Sequence, residues 1–424
     1  MGRNGKHHKK VFKNGVRLLW ERVPNVRSVS IGIWVDVGSR NENEDENGIS
    51  HFIEHMLFKG TSRLNSERIS AAINAIGGNV NAFTTQEDIC LHARVVDRRL
   101  PQTIELLSQL LLDSKFAAQE LERERNVILE EVKMYNDTPD ELVVDLFTHN
   151  LWRGNSLGRP ILGSVDTLRS FRRSDLLKYR DREFGPERVV IALAGNFDPR
   201  AVERQFSELF DALSTNGTQP NRVATPSPTF SRRCEVRDLE QTHFCIGTLG
   251  PERSSEDRYA FSLLNLILGG GSGSRLFLEI REKRGLAYAI HSFNGGFKDT
   301  GMFAITGGTS PKQVDQVLGL VFRELGRICD KLPSAAELRL AKEQMTTALL
   351  LGLESTHSRM IRLAESELSF GHYVSVEETM RRVEAVKPRD ILHHARKYLK
   401  SKPVAFSAIG ASDLSEKTLE GMTF

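Results

Sequence analysis

Cysteine is scarce in this chain: four residues in 424, at positions 90, 234, 245 and 329. None forms a C-x-x-C pair, and the gaps are long and irregular. That argues against a disulfide framework or a cysteine zinc site and points to buried free thiols in a reducing compartment. Long hydrophobic runs are absent. No segment approaches membrane-spanning length, and no apolar stretch follows Lys6, Lys9 and Lys10 as it would in a secretory signal. Gly2 lacks the downstream Ser or Thr of a myristoylation signal. An excess of one charge is missing as well. With 58 Lys and Arg against 55 Asp and Glu, the net charge is +3. There is no dense basic block with interleaved aromatics, so neither a nucleic-acid nor a membrane partner is expected. The expectation is a cytoplasmic protein, or one whose targeting peptide is absent.

What the chain has is length and pattern. At 424 residues with 39% hydrophobic and 27% charged residues, it is a globular chain long enough for two domains. Asn14-Gly15 between apolar runs predicts a hairpin with a two-residue turn. Val29, Ile31, Ile33, Val35 and Val37 alternate with Ser30, Gly32, Trp34 and Asp36, the pattern of a half-buried strand. A polar loop, 38–48, leads to a helix near 49–58. A second helix spans about 66–76 and stops at Gly77-Gly78. Residues 79–95 read as a strand pair, and 103–112 and 117–135 as helices. Residues 213–230 are polar, Pro-rich and aperiodic, the composition of a linker. Around it the chain repeats. A shift of 215 residues pairs Leu168 with Val383, Phe171 with Val386, Asp175 with Asp390, Gly195 with Gly410 and Asp198 with Asp413. A duplicated domain explains this. The division expected is 1–213, a linker at 214–230, and 231–424.

The chemistry concentrates in His51-Phe52-Ile53-Glu54-His55. On a helix His51 and His55 lie about 40° apart on one face. Two imidazoles one turn apart can grip one metal ion, and Glu54 is placed to take a proton from water at that ion. By itself H-x-x-E-H is short, and a solvated helix face with two incidental histidines is the alternative. On the 117–135 helix, Glu124 and Glu131 are seven residues apart and nearly eclipse, flanking an apolar stripe of Leu121, Ile128, Val132 and Tyr135. Taken alone, that helix also reads as a charged surface helix. The glycine run 269–273 lacks the Gly-Lys-Ser/Thr ending of a phosphate loop and reads as a turn between helices.

Together these segments resemble the pitrilysin-type inverzincins, zinc peptidases with the inverted motif. The likeness is greatest to the mitochondrial processing peptidase β subunit and its bacterial relatives. His51, His55 and Glu131 match the family's ligands for one Zn2+. The 75 residues from Met56 to Glu130 separate His55 from Glu131, the family's spacing for its distal glutamate. Glu54 matches the catalytic base, and Glu124 the acidic residue that supports the site from behind. Gly77 to Glu87 resembles the strand that pairs with extended substrate, with Asn81 and Ala82 at the contacting positions. Arg281-Glu282-Lys283-Arg284-Gly285-Leu286-Ala287-Tyr288 resembles the family's Arg/Tyr signature. There Arg281 orients substrate and Tyr288 donates to the oxyanion. Glu141 and Asp145 fall where the processing peptidases bind an arginine near the cleavage site.

The resemblance implies an α+β fold of two homologous domains. Each is a mostly antiparallel sheet packed with helices, and together they close as a clamshell around a chamber. It implies a metalloendopeptidase for unfolded or extended peptides, among them basic, presequence-like ones. The implied assembly is a homodimer or a heterodimer with a homologous subunit, in bacterial cytoplasm or the mitochondrial matrix. The rivals are a non-catalytic subunit of the same fold and a peptidase active only beside a divergent partner.

Overall fold

The computed structural model describes residues 7–211, 213–214 and 223–411. Within them, the first half runs β1 (His7–Val11), β2 (Arg17–Arg22), β3 (Ser28–Val35), α1 (Ile49–Leu57), α2 (Ser66–Ile76), β4 (Asn79–Thr84), β5 (Ile89–Val96), α3 (Leu100–Leu112), α4 (Ala118–Asn136), α5 (Pro139–Leu151), α6 (Val165–Ser170), α7 (Arg173–Glu183), β6 (Val189–Gly195) and α8 (Pro199–Phe210). The second runs β7 (Arg232–Val236), β8 (Thr242–Leu249), α9 (Asp257–Leu268), a π-helical turn (Phe277–Glu282), β9 (Ala287–Gly296), β10 (Gly301–Thr309), α10 (Val314–Asp330), α11 (Ala335–Gly352), α12 (Thr356–Phe370), α13 (Val376–Ala385), α14 (Pro388–Tyr398) and β11 (Ala405–Gly410).

The first sheet has the order β1-β2-β6-β3-β5-β4 and the second β7-β11-β8-β10-β9. Only β2–β6 and β7–β11 are parallel pairs; the other described pairs are antiparallel. From β2 onward the two orders are the same pattern, and the 215-residue shift carries β2 to β7 and β6 to β11. The duplication expected from sequence is therefore a duplication of sheet topology. Asp413, one partner in that repeat, lies outside the described residues, as do 215–222 of the linker.

The compact units are not the contiguous halves 1–213 and 231–424. One unit comprises residues 1–132, 159–223 and 350–374; the other comprises 133–158, 224–349 and 375–424. Each sheet is thus covered by a helix from the opposite half of the chain. α12 lies on β2, β3 and β6, and α5 lies on β8 and β11. This corrects the half-buried reading of β3. Ser30, Trp34 and Ile33 are all buried, because Met360, Leu363 and Ala364 of α12 pack on Leu19, Trp34, Val190 and Ala192. Ser30 Oγ pairs with Thr356 Oγ1 at 2.9 Å. In the second unit Asn150 of α5 donates to Ser407 Oγ at 2.8 Å. The first hairpin also differs. Phe12 N donates to Val16 O, so three residues turn the chain instead of two.

Candidate metal centre

α1 places the motif. Its apolar residues Ile49, Phe52, Ile53 and Met56 are fully buried, which turns His51, Glu54 and His55 toward one side. The helix start is held by a residue the sequence reading passed over as polar loop. Glu42 is buried, accepts from Gly48 N at 2.8 Å and Ser50 N at 2.9 Å, and also accepts from the Asn47 amide at 3.2 Å. A carboxylate on free helix N–H groups is the favourable charge for that end. Burial outweighs these bonds and pushes its pKa up to about 7. Gly48 has φ 95°, and a Cβ there would meet Gly163 Cα at 2.7 Å, so no other residue fits without strain. The only sequence signal for Glu42 was an acid shortly before a glycine-led helix start.

α4 brings its carboxylates against α1. His51 Nε2 lies 3.8 Å from Glu131 Oε1, and His55 Nε2 lies 3.5 Å from Glu131 Oε2. The donor atoms of these three residues lie within 4.8 Å of one another. His55 Nδ1 is backed by Glu124 Oε2 at 3.2 Å, and Glu124 Oε1 takes Lys59 Nζ at 2.8 Å. That backing leaves His55 Nε2 as the inward-facing donor.

The donor set fits zinc. Tetrahedral ligands at about 2.0–2.1 Å from the ion stand about 3.4 Å apart. The Glu131–histidine separations are close to this and longer than a charge-assisted hydrogen bond of about 2.8 Å. Electrostatics agree. Burial and the neighbouring His55 hold His51 down at about 4. Burial would lower His55 too, but Glu124 and Glu131 raise it to about 9. Carboxylates on both sides of the imidazole pair favour positive charge there, the electrostatics a metal cation needs. Glu131 is held low by the neighbouring His55 and, less, by His51. Glu54 is raised by burial, and Thr84 Oγ1 donates to its Oε2 at 2.6 Å.

Residues 17–165 match the family profile described as insulinase (peptidase family M16), and residues 170–345 match the peptidase M16 inactive domain. A Streptomyces coelicolor protein described as an uncharacterized zinc protease is 40% identical over 403 residues, spanning 93% of this chain and 88% of the relative. This chain belongs to peptidase family M16. A second relative so described, from Bacillus subtilis, is 38% identical over 374 residues, 88% of this chain and 91% of its own length. The crystal structure of a protease from Helicobacter pylori superposes with a TM-score of 0.90 at 20% identity, covering 96% of this chain and all of that one; at that identity the likeness concerns the fold. As an M16 member with zinc-protease relatives, the chain is a zinc metallopeptidase.

The remaining residues expected at an M16 site divide between the units. Asn81 and Ala82 lie on β4, an edge strand of the first sheet, with Asn81 exposed. Arg281 and Tyr288 belong to the second unit. The Arg281 guanidinium stacks between Phe277 at 4.9 Å and Tyr288 at 4.7 Å, and Tyr288 is 77% exposed. Glu141 and Asp145 sit on α5, also in the second unit. Burial, with Glu141 beside it, raises Asp145 to about 6 despite a hydrogen bond from Tyr135. Among the described residues no helix is long and apolar enough to cross a membrane.

Proposed function

We propose that this M16 peptidase is an endopeptidase for unfolded or extended peptides, with one zinc held by His51, His55 and Glu131. The observation that carries this reading is the convergence of three donor side chains beside a carboxylate that is not among them. Bound there, zinc supplies a Lewis acid for the scissile carbonyl and lowers the pKa of water. Glu54 takes the proton of the attacking water and hands it to the leaving amine. Glu124 holds His55 in orientation. Asn81 and Ala82, on an outermost strand, offer backbone groups to an extended peptide. Arg281 orients the substrate, and the exposed Tyr288 hydroxyl donates to the developing oxyanion.

Glu141 and Asp145 extend the reading to substrate choice: they take an arginine near the scissile bond. Glu141 lies close enough to help raise Asp145, and two carboxylates that near are a receptive site for a guanidinium. The protein would act in the bacterial cytoplasm as an assembly of two homologous chains, which the mass of the active species tests.

The main experiment is metal analysis with peptide cleavage. About one zinc per chain is expected, and chelation abolishes cleavage; full activity in metal-free protein refutes the mechanism. Tyr288→Phe and Arg281→Ala should keep their zinc and lose about tenfold to a thousandfold in kcat. Unchanged kinetics in both would remove them from the site. An Arg-containing peptide should exceed its Ala counterpart about tenfold or more in kcat/KM, the scale of a charge-assisted pair, and Glu141→Gln/Asp145→Asn should erase that preference.

A further inference from the structure

Glu54 sits on a two-turn helix, on a side chain with three rotatable bonds, at a position where a shift of about 1 Å in a reacting group can cost a hundredfold in rate. Packing on α1 does not hold its carboxylate, because Glu54 itself is only half-buried. The contact that does hold it comes from another element. Thr84, the last residue of β4, donates its hydroxyl to Glu54 Oε2 at 2.6 Å. A charge-assisted O–H···O bond of this length is among the stronger ones. It engages Oε2 and leaves Oε1 without that donor.

Thr84 is itself set in place by the turn that follows it. Thr85 N donates to Asp88 O at 2.8 Å, closing the β4–β5 turn, and the Thr85 hydroxyl accepts from Glu87 N and Asp88 N. The loop before α1 lies on this turn. Ser39 N donates to Thr85 O at 3.2 Å and Arg40 N to Gln86 O at 2.9 Å. Gly38 permits the approach, since a Cβ there would stand 2.4 Å from Thr85 O. Arg40 then pairs with Glu87 at 2.6 Å, with both side chains buried. Two residues further on, Glu42 of the same loop holds the start of α1. One loop therefore fixes both the helix that carries Glu54 and the turn that carries its hydroxyl donor.

We infer that Thr84 is a positioning residue for Glu54: its hydroxyl selects the carboxylate orientation in which Oε1 faces the attacking water. This rests on Glu54 acting as the base. The assignment is tested with Thr84→Val, which keeps shape and removes the hydroxyl, Thr84→Ser, which keeps the hydroxyl, Glu54→Gln, and the Thr84→Val/Glu54→Gln double variant, all as full-length zinc-loaded protein. Peptide kcat, KM and zinc content are measured for each. Thr84→Val should lower kcat about tenfold to a hundredfold, with KM and zinc within about twofold. Thr84→Ser should restore most of the loss. In the Glu54→Gln background, Thr84→Val should lower kcat by no more than about twofold further, because residues acting as a unit are non-additive. Unchanged kcat in Thr84→Val, a Ser variant as slow as Val, or full additivity in the double variant overturns the inference. Ordinary turnover in Glu54→Gln alone would instead refute the base, a separate outcome from any of these.

Discussion

The two sheets are one design used twice, and among the described residues only the first copy carries a His-His-Glu donor cluster. The helix after β3 is α1, with His51, Glu54 and His55; the helix after β8 is α9, where Phe261, Leu264 and Leu268 are buried instead. α4 and α11 begin 217 residues apart, and at that shift Glu124 and Glu131 become Ala341 and Ala348. Strand order and the reciprocal covering helices survive without the donors. The fold therefore does not depend on the site: burial of the apolar faces supports it, and the ligand set is an addition to one copy. The match of the second half to an inactive M16 domain agrees.

The comparison breaks most completely if the halves are separated. A fragment of residues 1–213 has the whole first sheet but lacks α12, so Leu19, Trp34, Val190 and Ala192 lose their cover. We expect no cooperative thermal transition from this fragment, with recovery when residues 350–374 are fused to it; calorimetry on both measures this. A cooperative melt of 1–213 alone would show that α12 is dispensable.

Next in size is the site itself. Glu54→Gln should keep its zinc and lose about a hundredfold to ten-thousandfold in kcat, the range for a general base. His51→Ala and Glu131→Ala should lose zinc as well. Ala348→Glu, the matching position in the second copy, should leave zinc content unchanged, because α9 has no histidine to share an ion. A second zinc in that variant would show that the copies differ less than their helices indicate.

Smaller again is the loop that serves the site. Arg40→Ala leaves Glu87 buried without its guanidinium, and the loss should be about 3–5 kcal/mol, read from denaturant unfolding. Arg339→Ala, whose partner Glu343 is exposed on α11, should cost under about 1 kcal/mol.

A buried carboxyl adds a dependence on pH. The pKa of Asp145 is raised to about 6 from an ordinary 3.8. Folding then favours its protonated form, so its contribution to stability is full below about 4 and is lost as pH rises through about 6. Between those limits wild-type Tm should decline more than that of Asp145→Asn. On the proposed arginine contact, the ionised form binds substrate, so the KM of an Arg-containing substrate should improve over the same rise. Identical Tm profiles for the two proteins would mean that Asp145 does not titrate in that window.

The local sequence determined a great deal. Local patterns marked β3, α1, α2, β4, β5 and α4 closely, since most apolar residues in these elements face the larger core of the first unit. H-x-x-E-H on a helix held its ligands one turn apart whatever surrounded it, and the 215-residue repeat declared the duplication. Tertiary structure alone decided the rest. No pattern in residues 350–374 announces that this segment belongs with residue 34, because the pairing is between distant apolar faces and leaves no local period. The same is true of Glu42 on α1, Arg40 on Glu87 and Thr84 on Glu54: each is a polar residue in a loop or at a strand end until folding supplies its partner. Periodicity records which way a side chain faces, and only the packed chain records what it meets there.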